Sequence, residues 1–465
     1  MSLNLHQTLS WTRALAVRNA NTDAELAMLN DLQGNILKGH GRHYTIHLLL
    51  AFDPGQREGA REFVHELGCE ATTALQQLTG ATVFKATGVS MAPFSCVLLS
   101  AKGYQALGRE AAMPADPAFR AGMRARDLSD PPPSSWDAHL AAEVHAMIIA
   151  AVDSEEEQLA WLMAYQTRIG LTGGAVRLVG SETGRALFNE DGNGIEHFGY
   201  VDGRSQPLAL QEDVDQESAQ GGTDQWDPSI PLSQLLVACP GGKGEYSCGS
   251  YFVFRKLEQN VRGFKRREQH LAEVMDNAGE RAGASVVGRF ENGTPVALHG
   301  DEIAVTPEQG GVPNNFNYSA DAQGMKCPFA GHVRKANPRD VPGSKAALMA
   351  RRGIPYGCRS DAPNSDGIEN KPSAGVGLLF MAYQADMTRQ FETTQRYWAN
   401  ARDFPVPGTG VDPITGQGPG PHGQRYPRQY GESLTEPFDF SGFVNLRGGE
   451  YFFAPSISFL MGIDA

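Results

Sequence analysis

The sequence lacks the motifs of several common site types. Its six cysteines, at positions 69, 96, 239, 248, 327 and 358, never form a C-x-x-C pair. This excludes the usual signature of zinc ribbons, thioredoxin-like redox centres and covalently attached c-type haem. No G-x-G-x-x-G follows an expected strand, so the fingerprint of dinucleotide binding is also missing. We expect the cysteines to be scattered, reduced thiols.

Long apolar runs and a positive net charge are also absent. No run of about 18 apolar residues occurs, which predicts that no helix spans a membrane. The first residues show no basic cluster followed by an apolar core and a small-residue cleavage site, so we expect a cytoplasmic protein. Asp and Glu number 53 against 40 Lys and Arg, a net charge of −13. That sign disfavours nucleic acid and anionic membranes as partners.

The composition is that of a folded protein with ample core. The chain has 465 residues, 41% of them hydrophobic and 20% charged, enough for two or three domains. Alternating apolar residues over 44–52 predict a strand, and a helix over 56–67 follows. Strands over 95–100, 144–152 and 174–179, with a helix from Ser154 to Gln166, continue the pattern. The order indicates a ferredoxin-like unit with an antiparallel sheet, while a parallel doubly wound sheet stays open.

The second half of the chain starts a new unit after a long connection. Residues 208–247 are rich in Gly, Pro and Asp and predict a connecting loop. A strand over 249–257 opens the next unit. The run over 376–384 is apolar on both faces, which is typical of a covered central strand. A helix over 387–400 and a final strand over 449–456 complete the expected elements.

One histidine, His332, stands out in a stretch bounded by glycine and proline. It lies between small residues and a basic run, and two arginines, Arg351 and Arg352, follow before a Gly-Ile-Pro-Tyr-Gly turn. Isolated histidines are more often structural residues than ligands. Spacing alone therefore does not assign His332 a ligand role.

Five short motifs carry a resemblance to a known family. Residues 332–339 read HVRKANPR, and residues 198–207 read FGYVDGRSQP, which contains a G-x-x-D-G pattern. Residues 31–36 read DLQGNI, residues 249–257 read GSYFVFRKL, and residues 449–456 read GEYFFAPS. Taken in their order along the chain, they resemble motifs of the dye-decolourising peroxidases, and the resemblance spans about residues 31–456.

The resemblance implies an α+β fold. It would consist of two ferredoxin-like halves with antiparallel sheets, packed as a barrel-like pair, with haem mainly in the C-terminal half. The corresponding organisation is an N-terminal extension over 1–30, a first domain over 31–207 ending in the G-x-x-D-G motif, a connecting loop over 208–248, and a haem-binding domain over 249–465.

It also implies a haem b peroxidase that reduces hydrogen peroxide and oxidises bulky dyes, phenolics or other aromatic one-electron donors. One haem would bind per chain without a covalent link, with His332 as the axial ligand of its iron. Asp202 would move the proton of peroxide, and Arg351 would polarise its O–O bond; Arg352 is the neighbour with which Arg351 could be confused. Further cofactor contacts would come from Arg334, Gly203, Leu378 and Phe380.

Several alternatives stay open. The carboxylate that supports His332 is Asp412 or Asp439. Trp136, Trp226 and Trp398 lie in polar surroundings and are candidates for exposed rings that relay electrons from large donors, with ordinary packing as the commoner alternative for each. A protein that handles haem with only incidental peroxidase activity is a second reading. A chlorite-dismutase-like or haem-iron-releasing enzyme on a related fold is a third. Whether the chain forms a homo-oligomer also stays open.

Overall fold

Antiparallel strands form the frame of the protein, and helices cover it. The computed structural model describes residues 3–17, 19–305, 311–361, 363 and 366–464. The described strands are β1 Tyr44–Phe52, β2 Phe94–Leu99, β3 Ala146–Val152, β4 Val176–Arg185, β5 Leu187–Phe188, β6 Gly194–Ile195, β7 Val237–Ala238, β8 Cys248–Gln259, β9 Ala350–Arg351, β10 Ile354–Tyr356, β11 Gly377–Gln384, β12 Arg425–Pro427, β13 Leu434–Pro437 and β14 Val444–Ala454.

Helices lie in several of the connections between these strands and near both ends of the chain. The described α-helices are α1 Trp11–Ala16, α2 Ala20–Asp31, α3 Arg57–Glu70, α4 Ala74–Thr87, α5 Ala101–Ala106, α6 Pro117–Ala121, α7 Ala138–Ala141, α8 Glu155–Gly170, α9 Gln211–Gln220, α10 Val261–Val274, α11 Arg281–Val287, α12 His332–Ala336 and α13 Ile457–Met461. A π-helix spans Thr388–Ala399. Within the described ranges, no helix is both long enough and apolar enough to cross a bilayer.

The sheet divides into two halves with the same internal order. In the first half the strands lie as β2-β3-β1-β4, and in the second as β10-β11-β8-β14. All neighbouring pairs are antiparallel. Each half therefore has the strand order of a ferredoxin-like unit, which confirms the expected fold and excludes the parallel doubly wound alternative. Strand β10 packs against β4, where a Cβ on Gly184 would lie 2.5 Å from Ile354 Cγ2, so the two halves close into a barrel-like pair.

The two halves share little strand pairing, and the DLQGNI motif reinforces their joint. Between β2 and β14 the register contains one residue pair, Leu99 with Phe453. Gln33 lies beside this joint with its side chain fully buried. Its Nε2 donates to Val97 O and to Pro455 O, both at 2.8 Å, and its Oε1 accepts from Val97 N–H at 2.7 Å. The motif thus contributes hydrogen bonds that a longer strand pairing would otherwise supply.

Side chains that alternate along the central strands pack into two separate hydrophobic cores. Ile46, Leu48 and Leu50 of β1 pack into the core beneath the helices, whereas Leu49 packs into the core enclosed by the barrel. Strand β11 divides in the same way, because Leu379 and Met381 belong to the enclosed core. Its intervening residues face the helix layer, where a cavity lies.

Some sequence expectations were wrong. The segment 208–248, expected to be a loop, contains α9 and β7, and α4 was not anticipated. Ser154 does cap α8, since its side chain accepts from Glu157 N–H. Of the two roles considered for the tryptophans, the structure favours packing, because Trp136, Trp226 and Trp398 are only 8%, 9% and 7% exposed. Trp398, for example, stacks on Phe404 with ring centroids 5.4 Å apart, and apolar stacking outweighs the polar character of its chain neighbours.

Candidate active site

A cavity of about 560 Å³ lies between the second-half sheet and its helices. Alternate residues of β8 and β11 form one wall, and α12, the π-helix and the segment 194–206 form the others. Apolar side chains such as Leu378, Phe380 and Phe391 line much of it, and a few polar groups converge on it. This size and lining are typical of sites for small molecules and cofactors.

His332 lies on the cavity wall as the first residue of α12. Its Nδ1 is 2.9 Å from Oδ2 of Asp412 and 3.2 Å from Oδ1. With Nδ1–H donated to this carboxylate, Nε2 carries the lone pair, and no described residue hydrogen-bonds to it. The ring is 27% exposed. A neutral imidazole held by a carboxylate and open at Nε2 is the donor expected of an axial metal ligand.

Asp412 is fully buried and held by several donors. Its Oδ1 also accepts from the backbone N–H groups of Ile414 and Thr415, at 2.8 and 2.9 Å. Burial alone would raise the pKa of Asp412, but His332 and these N–H groups hold the pKa below its usual value. Burial lowers the pKa of His332, and the charge and hydrogen bond of Asp412 outweigh that effect and raise it.

The structure decides between the two carboxylates that the sequence left open. Asp439 Oδ1 accepts from His422 N–H at 2.7 Å, and its Oδ2 accepts from the Ser441 hydroxyl at 3.1 Å. Asp412 is therefore the partner of His332.

Asp202 and Arg351 line the same cavity from other elements. Asp202 follows Gly199 and precedes Gly203, which have φ of 98° and 79°, conformations that favour glycine. Its Oδ1 accepts from Gly203 N–H at 2.6 Å, and the side chain is otherwise exposed to the cavity. Arg351 lies on β9, where its N–H donates to Gln206 Oε1 at 3.0 Å. The carboxylate therefore stands in the cavity itself, not in a closed apolar niche.

The guanidinium of Arg351 has few partners. Its Nη2 makes one long contact, 3.4 Å to Ser205 O, and no hydrogen bond joins it to Asp202 in the described chain. Burial lowers the pKa of Arg351, and the nearby charge of Asp202 opposes that shift. Arg352 differs, because its donors are occupied by the backbone oxygens of Asn35, Ile36 and Arg351. Of the two neighbours, Arg351 is the one free to act on a bound molecule.

The expected cofactor contacts fall into two groups. Gly203, Leu378 and Phe380 line the cavity. Arg334 lies outside the lining: its Nη1 donates to Asp321 Oδ2 at 2.8 Å, and its guanidinium lies 4.5 Å from the ring centres of both Tyr318 and Phe329. The expectation that Arg334 contacts the cofactor is thus corrected, since its charge is neutralised behind the helix that presents His332.

Sequence reasoning missed several cavity residues. Glu196, Gln206 and Arg289 line the cavity and were given no role there from the sequence, although Gln206 lies in the FGYVDGRSQP motif and Arg289 in the Gly-bounded turn over 288–295. Glu196 accepts from Phe198 N–H at 2.8 Å and from Tyr200 N–H at 3.2 Å. These two hydrogen bonds stabilise the turn that leads to Asp202. Burial raises the pKa of Glu196 to about 7. The only signal in the sequence was its place six residues before Asp202.

The helix between β11 and β14 also differs from the expected type. Glu392 N–H donates to Met387 O, and Asn400 N–H donates to Gln395 O, each reaching five residues back. This π-helical winding brings Phe391, Gln395 and Ala399, spaced by four residues, onto the cavity wall. π-Helices are rare and occur often at functional sites.

A cluster of three side chains outside the cavity has the composition of a metal site, but a lysine lies among them. Asp137, His139 and Glu182 have ligand atoms within 4.8 Å of one another. However, Lys256 Nζ lies 2.9 Å from Asp137 Oδ2 and 2.7 Å from Glu182 Oε1. The lysine supplies the positive charge that a metal ion would bring.

Comparison with known proteins agrees with this geometry. A family model described as Dyp-type peroxidase, C-terminal, matches residues 220–404. The multifunctional dye peroxidase DyP2 of Amycolatopsis sp. is 42% identical over 488 residues, covering 100% of both chains. The dye-decolorizing peroxidase msp1 of Mycetinis scorodonius is 30% identical and covers 92% of this chain and 86% of its own.

Solved structures agree at the level of the whole chain. The DyP-type peroxidase AnaPX of Anabaena sp. superposes with a TM-score of 0.90 at 36% identity, covering 99% of each chain. The structure of DyP2 gives a TM-score of 0.91 at 40% identity, covering 99% of this chain and 100% of the other. On the full-length identity and the matching fold, the chain belongs to the dye-decolourising (DyP-type) peroxidase family.

Proposed function

We propose that the protein is a haem b peroxidase that reduces hydrogen peroxide and oxidises bulky dyes, phenolics or other one-electron donors. One observation carries the proposal. A single cavity holds an imidazole backed by a buried carboxylate, His332 with Asp412, together with a carboxylate and a guanidinium that have few other partners, Asp202 and Arg351.

The donor set fits haem b. His332 would hold the haem iron through Nε2, and Leu378, Phe380 and Gly203 would contact the macrocycle. No cysteine lines the cavity in the described ranges, so one haem per chain would be held there without a thioether link. When bound, haem supplies the redox chemistry with peroxide and with electron donors.

Two side chains would handle the proton and the charge of peroxide. Asp202 would accept a proton from one peroxide oxygen and deliver it to the other, which leaves as water, and the bound haem would supply the electrons that break the O–O bond. Arg351 stabilises the negative charge that develops on peroxide as this proton moves. Because each group feels the other's field, their effects on the reaction should be coupled.

A haem-handling protein with incidental activity is the second candidate. It would need His332 but neither Asp202 nor Arg351 in the cavity. The presence of both groups there favours the enzyme.

The test begins with the spectrum of the purified protein loaded with haem. A Soret band that changes after one equivalent of peroxide, followed by bleaching of a dye, is the expected result. His332→Ala should fold but lose most haem. His40→Ala, a matched change of another histidine on the cavity wall, should keep it. A full, unshifted Soret band in His332→Ala would show that the ligand assignment is wrong.

Finer aspects of the organisation are proposed with it. Residues 31–207 and 249–465 would be two domains, each built around one four-stranded half of the sheet, with 1–30 as an extension and 208–248 as the connection. A cytoplasmic location is supported by six free thiols, because disulfides are rare there. Cell fractionation would test it, and disulfide-linked chain recovered outside the cell would contradict it.

A further inference from the structure

One lysine on the helix that presents His332 is completely buried. Lys335 follows His332 by three residues on α12, so the two side chains occupy neighbouring positions on the helix surface. Lys335 has an exposed fraction of 0% and lies outside the cavity lining. Its ammonium donates to Ala401 O at 2.8 Å and to Phe404 O at 2.5 Å. These carbonyl oxygens satisfy two donors of the ammonium but do not neutralise its charge.

The segment that accepts these hydrogen bonds also anchors Asp412. Ala399, at the end of the π-helix, accepts from Asp412 N–H at 2.8 Å. The two oxygens bonded by Lys335 belong to Ala401 and Phe404, a few residues further along. Lys335 therefore ties the helix that carries His332 to the same stretch of chain, 399–404, that holds the backbone of Asp412.

Asp412 is the buried acid whose charge Lys335 can balance. A neutral His332 that binds iron through Nε2 leaves Asp412 negatively charged, and Asp412 is fully buried. A buried carboxylate is costly unless hydrogen bonds and a cation support it. Burial lowers the pKa of Lys335 to about 8, and the charges of Asp412 and Asp403 oppose that shift. Asp403 is exposed, so solvent screens its charge far more than that of Asp412.

Other cations near the pair are occupied or lie elsewhere. Arg334, the preceding residue but one after His332, is neutralised by Asp321. Arg351 lies on β9 and lines the cavity. Within the part of the chain that the structure describes, Lys335 is thus a cation that can balance Asp412 without entering the cavity.

We propose that Lys335 is a positioning residue that limits how strongly Asp412 draws on the Nδ1 proton of His332, and thereby sets the reduction potential of the bound haem iron. This inference rests on the haem cofactor of the proposed function. With Lys335 charged, part of the negative charge of Asp412 is balanced. Without it, Asp412 would draw the proton more strongly, the imidazole would become a stronger electron donor, and the ferric state would be favoured.

The experiment measures the reduction potential of the haem-loaded protein by spectroelectrochemistry at pH 6, where Lys335 is charged. Lys335→Met removes the charge and keeps an unbranched side chain. Its reduction equilibrium should shift about tenfold toward the ferric form, as is typical of coupled neighbouring groups, which lowers the potential by about 59 mV for a one-electron couple. The Fe–Nε2 stretching frequency of the ferrous protein should rise, because the imidazole donates more strongly. Lys335→Arg keeps the charge and should restore most of the wild-type potential.

A double-variant cycle shows whether Lys335 acts through Asp412. The cycle adds Lys335→Met to Asp412→Asn, with haemin at a concentration that saturates both proteins. Because the asparagine carries no charge to balance, the added change should shift the reduction equilibrium by no more than about twofold.

Lys371→Met is the matched control. Lys371 is another buried lysine that donates to a backbone oxygen, Pro363 O at 2.6 Å, and it lies outside the cavity lining. Its replacement should leave the potential and the stretching frequency as in wild type.

The outcomes are distinct. If wild type binds no haem, the proposed function itself fails. If Lys335→Met binds haem with an unchanged potential and stretching frequency, or shifts the potential equally with and without Asp412→Asn, Lys335 does not act through Asp412 and the inference is wrong. Should Lys335→Met not fold, Lys335→Gln replaces it, since its amide can still donate to a carbonyl oxygen but carries no charge. A wild-type potential in Lys335→Gln would overturn the inference in the same way.

Discussion

The sharpest prediction concerns Asp412→Asn, which keeps the shape of the side chain and removes its charge. Asp412 accepts on one side from two backbone N–H groups and on the other from His332 Nδ1–H. An amide has one acceptor oxygen. If that oxygen stays with the backbone donors, the amide NH₂ faces Nδ1–H, donor against donor.

His332 can escape this clash only by changing tautomer. Nδ1 would then accept from the amide, and the proton would move to Nε2, the atom that faces the cavity and must bind iron. The variant loses a charge-assisted hydrogen bond, worth about 1.5–3 kcal/mol, whenever it binds haem. We therefore expect haem affinity to fall about 10- to 150-fold, which agrees with the range known for groups that support metal ligands.

Titration of apo-protein with haemin measures this directly. Asp439→Asn is the matched control, since Asp439 was the other carboxylate compatible with the sequence and binds His422 N–H instead. It should leave haem affinity within about twofold of wild type. Thermal unfolding of each apo-variant separates loss of affinity from loss of fold. The reasoning is refuted if Asp412→Asn folds and binds haemin as tightly as wild type.

Three further predictions follow from the same structure. Asp202→Asn and Arg351→Leu should each slow the Soret change after mixing with peroxide at least about tenfold with haem content unchanged, and the double variant should lose less than the product of the single losses. Burial raises the pKa of Glu196 from 4.5 to about 7. The protonated side chain therefore contributes stability that is fully present below pH 4.5 and is lost as the pH rises through about 7. Glu196→Gln should therefore gain stability relative to wild type over that window, by no more than about 3 kcal/mol. Gln33→Ala leaves two buried carbonyls and an N–H without partners at the joint of the halves and should lower the unfolding free energy by about 3 kcal/mol.

Each of these has an outcome that contradicts it. Stopped-flow rates within a few-fold of wild type in both single variants would remove Asp202 and Arg351 from the proton chemistry. Urea unfolding at several pH values checks Glu196, and Glu190→Gln, an exposed carboxylate nearby, is its control. If the unfolding free energies of Glu196→Gln and Glu190→Gln depend on pH in the same way, the raised pKa of Glu196 does not control the stability. A loss below about 1 kcal/mol for Gln33→Ala would mean that water replaces its hydrogen bonds.

The sequence predicted the fold well because strand alternation and motif order are local signals. Strand β1 was expected over the same residues that form it, and the helix capped by Ser154 was expected to begin where α8 begins. The errors have physical causes. Helix α4 buries only Ala74 and Leu78, so its apolar periodicity is weak. The π-helix cannot be distinguished from an α-helix by a pattern of period 3.6.

The site was predictable only where one residue type is required by the chemistry. His332, Asp202 and Arg351 lie in motifs and meet at the cavity, yet the carboxylate that orients His332 follows it by 80 residues along the chain. Asp412 and Asp439 both lie in segments rich in proline or aromatic residues, and either could reach α12. Only the folded positions of the two segments show which of these carboxylates reaches His332.

Arg334 and Arg289 show why membership of a motif does not identify the arginine that contacts the cavity. Arg334 is two residues from His332 and belongs to the HVRKANPR motif, but Asp321 removes its net charge. Arg289 lies in the Gly-bounded turn over 288–295 and has no such neighbour, because the segments packed around it offer backbone oxygens instead of carboxylates. The energetic cost of burying its charge follows from these neighbouring groups, not from distance along the chain. Whether an arginine beside the cavity keeps an unpaired charge is therefore decided by the segments that the fold packs around it, and its place in a motif does not reveal it.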